Sequence, residues 1–315
     1  MTGVTVRVPA KLNLQLAVGP PRADGYHDLV TVFHAVSLFD QVTVEPAGRD
    51  GVSVTGEGAD QVPAGQDNLA LRATEALRAA VPDRGTGTVH VTISKRIPVA
   101  AGLAGGSADA AAALLACNEL WGAGLTQPQL CEIGAAVGSD VAFALLGGTA
   151  VGRGRGEQLT PALAPATQYH WVLAFADGQL STPAVYAALD RLRTARPADP
   201  AGSEVAVAAE PDLDAALMSA LRSGDAARVG QRLTNDLQPA AVSLFPALRK
   251  TLTAGLELGA LGALVAGSGP TCVFLAASAE RALELAVAIS GAGVCRSVAR
   301  VTGPMPGAAV LPRPR

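Results

Sequence analysis

The segment 98–109, PVAAGLAGGSAD, lies between a strand-like pattern and an alanine-rich helical pattern, and Ser107 is the predicted N-cap of that helix. Glycines let a backbone approach a ligand closely, and a helix N-terminus adds unpaired N–H groups and a partial positive charge. Together these features suit a phosphate group. The alternative is a strand-to-helix turn in which the glycines only supply positive φ, Ser107 only caps the helix, and Asp109 only favours its dipole.

The same segment does not match two common nucleotide-binding motifs. A Walker A loop, GxxxxGK[ST], needs a lysine after its second glycine, and none is present here. Gly102, Gly105 and Gly106 do not have the G-x-G-x-x-G spacing of a dinucleotide fingerprint, and they do not follow the first strand of the chain. An NAD-dependent oxidoreductase is therefore a poor interpretation.

Two further residues have the chemistry that phosphoryl transfer to an alcohol requires. Asp140 follows a predicted helix that ends at Gly138, and its carboxylate can accept the proton of the alcohol. Lys11 supplies a positive charge that can orient the carboxylate or the hydroxyl, and only three of the chain's 24 basic side chains are lysines. The alternatives are that Asp140 caps a short helix and that Lys11 is an exposed lysine at a strand end.

Composition excludes several classes of protein. The 315 residues are 49% hydrophobic and 16% charged with a net charge of -3, which argues against a protein that coats nucleic acid. The four cysteines lack CxxC or metal-type spacing, so we interpret them as buried small residues in a reducing compartment. The sequence shows no signal peptide and no apolar stretch of ~18 residues, so we expect a cytoplasmic protein without membrane or nucleic-acid partners.

Apolar periodicity and turn residues predict alternating strands and helices. In the first half, strands are predicted over 4–8, 12–16, 29–38, 41–45, 52–55, 88–94 and 147–156, and helices over 68–81, 107–121 and 127–137. In the second half, strands are predicted over 171–175, 262–266, 271–275 and 295–302, and helices over 183–193, 212–222, 225–233, 243–258 and 278–290. Asp67 is the predicted cap of the first helix, 196–211 a linker, and the tail 306–315 irregular. The pattern indicates two α+β domains that meet near residues 155–165.

Several motifs, in this order, resemble those of the GHMP kinase superfamily, which includes galactokinase, homoserine kinase and mevalonate kinase. The phosphate-loop segment resembles the family's P-x-G/A-x-G-L-G/A-G-S sequence, although Ala100, Ala101 and Ala104 stand where many relatives have glycine. The other matching segments are PAKLNLQL at 9–16, RADGYHDLVT at 22–31, GAAVGSDVAF at 134–143 and AGSGPTCVF at 266–274. Ser139 and Ala142 depart from the family's usual alanine and proline.

The resemblance implies an α+β fold of two domains and an ATP site between the two glycine turns. Residues 1–160 would form a ribosomal-protein-S5-like β/α domain that binds ATP, and 161–315 a ferredoxin-like split β-α-β domain that binds substrate. It implies that Lys11 and Asp140 are catalytic, and that ATP and Mg²⁺ are used, with Ser107 or Asp109 as candidate magnesium ligands. The implied ATP-binding residues are Pro98, Val99, Ala100, Ala101, Gly102, Leu103, Ala104, Gly105, Gly106, Ser107, Ala108, Asp109, Asn68, Gly267, Ser268 and Gly269.

Within the superfamily, the R-x-D-G-Y/F-H-x-L motif is similar to that of kinases in the non-mevalonate isoprenoid pathway. These phosphorylate the 2-hydroxyl of 4-diphosphocytidyl-2-C-methyl-D-erythritol, a small molecule linked to cytidine diphosphate. The resemblance implies that Tyr26, His27 and Tyr186 hold the cytosine and that Asn13 and Thr182 also contact this substrate.

The residues leave other interpretations open. Tyr26 could only fix its loop, Tyr186 could pack in the core, and His27 could bond to the backbone. A homoserine-type or mevalonate-type kinase, or a silent nucleotide-binding regulator on the same fold, is the alternative function. We expect a monomer or a weak homodimer.

Overall fold

The computed structural model describes residues 3–82, 84–163, 167–194 and 210–312. Its strands are β1 Val4–Pro21, β2 His27–Pro46, β3 Gly51–Gly56, β4 Val89–Lys95, β5 Thr149–Arg153, β6 Gln158–Pro161, β7 Tyr169–Phe175, β8 Thr234–Asn235, β9 Gly262–Val265, β10 Cys272–Ala276, β11 Ser297–Gly303 and β12 Ala309–Val310. Its helices are α1 Leu69–Ala80, α2 Gly105–Leu120, α3 Gln127–Val137, α4 Val141–Leu146, α5 Thr182–Thr194, α6 Ala215–Ser223, α7 Ala226–Gln231, α8 Gln238–Leu244, α9 Ala247–Glu257 and α10 Ala279–Gly291, with a 3₁₀ turn at Ala59–Gln61. The predicted linker 196–211 lies outside the described residues except for its last two.

The first sheet is built on two long antiparallel strands, β1 and β2. The sequence predicts two short strands in place of each, because Pro9 interrupts the first alternation and the second alternation breaks after Leu38. In the structure a register shift between Pro9 and Ala10 lets β1 continue past the proline. Lys11 and Asn13 then follow on one face of the same strand, since alternate residues of a strand share a face.

Helix α2 covers this sheet and is buried on nearly all sides, with Ala108, Ala110–Ala113 and Leu114 in the core. Such a helix carries no polar face, which its alanine-rich sequence allows. Its start differs from the prediction. The helix begins at Gly105 and not at Ser107, because Ala104 adopts the left-handed conformation at φ 59° and turns the chain into the helix earlier. Ser107 therefore lies inside the first turn and is not the N-cap.

Other boundaries show where local patterns mislead. The cap of α1 is Asn68, whose Oδ1 accepts from the N–H of Ala70 at 2.9 Å, and not Asp67. The predicted helix 243–258 starts too late and is interrupted: α8 ends at Leu244, and α9 begins after Pro246, whose ring cannot continue a helix. Short elements with little pattern of their own, α4, β6, β8 and β12, were not predicted. The tail is not wholly irregular, since β12 pairs with Val6 and Arg7 of β1.

The second sheet has the antiparallel order β11-β7-β10-β9. With helix α5 after β7 and α10 after β10, this is the split β-α-β arrangement that the sequence predicts. One face, with Trp171 and Leu173 of β7, joins the core of the first sheet. The other face, with Val172 and Ala174, packs against the helices. The α+β fold class is therefore confirmed, whereas the domain boundary at residue 160 stays a prediction.

Candidate active site

A cleft of about 1020 Å³ opens between the first sheet, the glycine-rich segment and helix α5. Most of the residues that the sequence singled out line it. They are Lys11, Asn13, Tyr26, His27, Ala100, Ala101, Gly102, Ala104, Gly105, Gly106, Ser107, Asp140, Thr182, Tyr186, Gly267 and Ser268. Segments far apart in sequence therefore meet at one place.

The two glycine turns lie directly against each other. Gly102 has φ +78°, and a Cβ built on it would lie 1.9 Å from the carbonyl oxygen of Ala266, so only glycine fits there. Ala100 at φ 51° and Ala104 at φ 59° hold the same left-handed conformation without being glycines. The first N–H groups of α2 have no partner within the helix, so the loop retains donors for an anion.

Asn235 fixes the second glycine turn, and no sequence motif identifies this residue. Its side-chain nitrogen donates to the carbonyls of Val265 and Gly267, both at 2.7 Å, and its oxygen accepts from the N–H of Leu237 at 2.9 Å. The residue reaches this position because β8 pairs in parallel with β1 at Leu16. A two-residue strand leaves no periodic pattern, so only the folded chain shows the contact.

Within the cleft, Lys11 Nζ lies 3.6 Å from Asp140 Oδ2 and donates to Asn13 Oδ1 at 2.7 Å. Asn13 in turn donates to Thr31 Oγ1 at 2.8 Å, which fixes its amide. Lys11 is only 8% exposed, so it is not a lysine at an exposed strand end. A Cβ on Gly267 would lie 3.3 Å from Lys11 Nζ, so the second glycine turn borders this charge pair.

Asp140 occupies the N-cap position of α4, but its side chain makes no capping hydrogen bond. The carboxylate instead faces the cleft and Lys11. The side chain is 24% exposed, which leaves it accessible to a bound molecule. A cation beside it and an open path to solvent are what a proton acceptor for a substrate hydroxyl needs.

The same cleft holds a histidine between an acid and an aromatic ring. His27 is buried, and its Nε2 lies 3.0 Å from Asp190 Oδ1. Because a carboxylate accepts, His27 is the donor of this contact through Nε2. The ring of Tyr186 lies 5.1 Å from that of His27, and its burial together with the charge of Asp140 raises the pKa of Tyr186 to about 12. Tyr26 is 55% exposed at the entrance.

Helix α5 is tied to the second glycine turn at its first residue. Thr182 Oγ1 and Ser268 Oγ lie 2.9 Å apart, so the two hydroxyls share a hydrogen bond. The same helix carries Tyr186 and Asp190 one and two turns later. Asp190 was not predicted from sequence, although its i+4 spacing from Tyr186 puts both on one face of the helix.

Several predicted ATP-binding residues do not line the cleft. Leu103 and Ala108 are buried in the core, and Gly269 packs against Val265. Asn68 uses both polar atoms of its side chain in hydrogen bonds, donating to the carbonyl of Pro63 and accepting from the N–H of Ala70. Pro98 and Val99 line a separate cavity of about 280 Å³.

Asp109 is also turned away from the cleft, into a buried cluster beneath the phosphate loop. Lys95 Nζ donates to Asp109 Oδ2 at 2.7 Å and to Asp40 Oδ2, and the other Asp40 oxygen accepts from the N–H groups of residues 96 and 97. Burial, and then the nearby Asp40 charge, raise the pKa of Asp109 although Lys95 opposes them. Burial lowers the pKa of Lys95, but the two carboxylates outweigh it and raise that pKa. A Cβ on Gly105 would lie 3.0 Å from Lys95 Nζ, so the cluster supports the start of α2.

Metal-binding groups are sparse in the part of the chain that the structure describes. No three acidic, histidine or cysteine side chains there form a group that could hold an ion. Of the two magnesium candidates, Ser107 lines the cleft, whereas the Asp109 carboxylate is bound by Lys95. Within the same residues, no helix combines the length and the apolar character needed to cross a membrane.

Comparison with known proteins finds two matching family models. GHMP kinases N terminal domain matches residues 68–148, and GHMP kinases C terminal matches residues 217–295. A curated relative from Thermobifida fusca (strain YX), named 4-diphosphocytidyl-2-C-methyl-D-erythritol kinase, is 55% identical, over 98% of this chain and 99% of its own. A relative of the same name from Mycolicibacterium smegmatis is 54% identical over 99% of this chain and 93% of its own.

Solved structures that resemble this chain have lower sequence identity to it than these curated relatives. The crystal structure of a 4-(cytidine 5'-diphospho)-2C-methyl-D-erythritol kinase is 34% identical, with a TM-score of 0.71 over 94% of this chain and 98% of that one. A mevalonate kinase from L. major has the same TM-score of 0.71 at 18% identity, covering 98% of both chains. The latter likeness shows the fold alone.

Proposed function

This chain belongs to the GHMP kinase family, and from that premise we propose that it transfers the γ-phosphoryl group of ATP to the 2-hydroxyl of 4-diphosphocytidyl-2-C-methyl-D-erythritol. Its full-length relatives are named for this kinase activity, and the proposed reaction would place the chain in isoprenoid precursor synthesis by the non-mevalonate route. One observation carries the proposal. A single cleft holds a lysine–carboxylate pair beside two glycine turns, together with a histidine and two tyrosines.

In the proposed reaction, different residues of the cleft bind the phosphates, accept the proton and position the reacting groups. The free N–H groups at the start of α2 and the turn at Gly267 bind the ATP phosphates. The substrate hydroxyl oxygen attacks the γ-phosphorus, the bond from that phosphorus to the bridging oxygen breaks, and ADP leaves with the electron pair. Asp140 accepts the hydroxyl proton at its carboxylate, while Lys11, fixed by Asn13, holds that carboxylate and the attacking oxygen in place.

Magnesium would be held mainly by the nucleotide. Mg²⁺ in kinases bridges and neutralises phosphate oxygens and keeps several waters, so it needs few protein ligands. The Ser107 hydroxyl is the group at the phosphate loop that fits this part, since the Asp109 carboxylate is bound by Lys95.

The direct test is an assay of ADP release with purified protein, ATP, Mg²⁺ and one acceptor at a time. We expect turnover with 4-diphosphocytidyl-2-C-methyl-D-erythritol and none above background with homoserine or mevalonate. Mass spectrometry of the product should show one added phosphoryl group. Nucleotide binding without turnover on any acceptor would instead identify a silent regulator, and turnover on homoserine or mevalonate alone would identify a different kinase.

Replacing His27 by alanine should raise the KM for the cytidyl substrate by about 10- to 100-fold, as expected for the loss of one or two buried polar contacts. The KM for ATP should change less than about twofold, since the side-chain contacts of His27 are with Asp190 and Tyr186 of α5 and not with the glycine turns. Steady-state kinetics with each substrate varied in turn measure both. His90→Ala, a histidine that bonds Ser53 outside the cleft, is the matched control. An unchanged KM for the cytidyl substrate would remove His27 from the cytosine site.

Lys11→Arg keeps the charge and follows this chain's general use of arginine, yet it should lower kcat by about 10-fold or more. The buried lysine is a compact cation placed between Asn13 and Asp140, and a planar guanidinium with a different reach cannot reproduce both contacts. The measurement is kcat under saturating substrates. Lys250→Arg, on an exposed helix face, is the control and should match the wild type. Equal kcat in both variants would show that only charge matters at Lys11.

A further inference from the structure

We propose that Arg155 binds the diphosphate group of the acceptor, so that the enzyme selects a nucleoside diphosphate over the bare nucleoside. This inference rests on the proposed function, because it concerns how the cytidyl substrate is held. Arg155 lies in the turn between β5 and β6, where the sequence shows only a glycine-rich turn, GRGRG. No motif singled it out.

The turn lies close to both Tyr26 and Asp140. The Arg155 guanidinium carbon is 5.4 Å from the centre of the Tyr26 ring. A Cβ on the next residue, Gly156, would lie 4.0 Å from Asp140 Oδ1 and 3.3 Å from the ring of Phe33. A substrate with its base beside Tyr26 and its hydroxyl at Asp140 would therefore run past the turn that carries Arg155.

The positively charged side chains of the cleft also indicate Arg155. Among the described residues, the lysines and arginines that line the cleft are Lys11, Arg72 and Arg155. Lys11 is bound to Asn13 and Asp140, and Arg72 lies on α1, one turn after Leu69, which contacts the phosphate loop at Gly106.

Arg155 makes no ion pair with any carboxylate that the structure describes, although its backbone N–H is fixed by Glu157 at 2.7 Å. Its guanidinium is therefore a half-buried cation without an acidic partner among the residues that the structure describes.

The proposed substrate carries an anionic group that can pair with Arg155. A diphosphate ester carries about two negative charges at neutral pH and lies between the nucleoside and the methylerythritol. A guanidinium can donate two parallel hydrogen bonds to phosphate oxygens, which gives both affinity and direction. With the base held by Tyr26, His27 and Tyr186, a contact at the diphosphate would fix the distance from the base to the hydroxyl that reacts at Asp140.

The test compares CDP with cytidine as ligands of the wild type, Arg155→Gln and Arg153→Gln. Arg153 is the matched control because it lies two residues earlier in the same hairpin, is exposed and does not line the cleft. Binding is measured by calorimetry, so it needs no turnover. We expect Arg155→Gln to weaken CDP binding about 10- to 100-fold and cytidine binding less than about twofold. The KM for the acceptor should rise while the KM for ATP stays unchanged, Arg155→Lys should recover part of the loss, and Arg153→Gln should match the wild type.

Each other outcome overturns the inference in a recognisable way. Equal weakening of CDP and cytidine would mean that Arg155 only orders the Tyr26 ring through a cation–π contact. A raised KM for ATP alone would place the guanidinium on the nucleotide phosphates. Unchanged CDP binding would exclude any contact. Circular dichroism of the variant checks that it is folded. Failure of the wild type to phosphorylate the cytidyl substrate would contradict the proposed function instead, and the CDP and cytidine affinities would still decide whether Arg155 reads a diphosphate.

Discussion

Asp140→Ala is expected to lower kcat by about 10²- to 10⁴-fold, the range for loss of a general acid–base group, and to change the KM of either substrate much less. Asp140 faces the cleft without a capping bond and lies 3.6 Å from Lys11, so its removal takes away the proposed acceptor for the hydroxyl proton. Because the helix N-cap loses no side-chain hydrogen bond, the thermal midpoint of unfolding should stay within a few degrees of the wild type.

Rapid-quench kinetics separate this effect from slow product release, since a variant deficient in the chemical step should show no burst of ADP. Asp140→Asn is the isosteric partner variant and should lose nearly as much activity, because an amide accepts a hydrogen bond but not the proton. Ser139→Ala, next in sequence, is the control and should retain kcat within a few-fold. Near-normal turnover in both Asp140 variants would disprove the proposed base.

The motif residues could be predicted because their surroundings are local. Gly102 turns the chain immediately before α2, and Asp140 immediately follows the helix that ends at Gly138, so sequence order alone places each at an element boundary. The β1 register puts Lys11 and Asn13 on one face for the same reason. Proximity of these segments to each other was not derivable from periodicity and came from the family resemblance.

Residues that depend on non-local pairing escaped prediction. Asn235 reaches the second glycine turn through a two-residue strand, Asp190 reaches His27 across 163 positions, and Arg155 lies in a turn that has no motif. The positions of Lys95 and Asp109 in the sequence suggest local roles that the structure does not bear out. Lys95 stands at the end of a strand and Asp109 in the phosphate-loop segment, yet both side chains meet Asp40 in the interior. Side-chain direction there is set by the packing of α2 on the sheet, which the local pattern does not encode.

Lys95→Met should lower the free energy of unfolding by about 3–5 kcal/mol at pH 7, the cost of removing one partner from a buried ion pair. Methionine fills a similar volume, so the loss is electrostatic: Asp40 and Asp109 would stay buried with no cation between them. Since domains are stable by about 5–15 kcal/mol, the effect should be plain in urea unfolding followed by circular dichroism. Activity should also fall, because Lys95 supports Gly105 at the start of α2, the helix proposed to bind the ATP phosphates.

Asp109→Asn is the matched variant, since it leaves Lys95 paired with Asp40 alone and should change stability at pH 7 by about 1 kcal/mol or less. As the pH rises, the stabilities of the two variants should depart from that of the wild type in opposite directions. Burial raises the folded-state pKa of Asp109 above its unfolded value of ~3.9, so the stabilisation from its bound proton is complete below that value and is lost as the pH rises through the folded pKa. Asp109→Asn has no such proton to lose, and its stability should fall less than that of the wild type on raising the pH. Lys95→Met should fall more steeply, because the cation that opposes the raised pKa of Asp109 is gone. If Lys95→Met were as stable as Asp109→Asn from pH 6 to pH 9, the cluster would not support the fold beneath the phosphate loop.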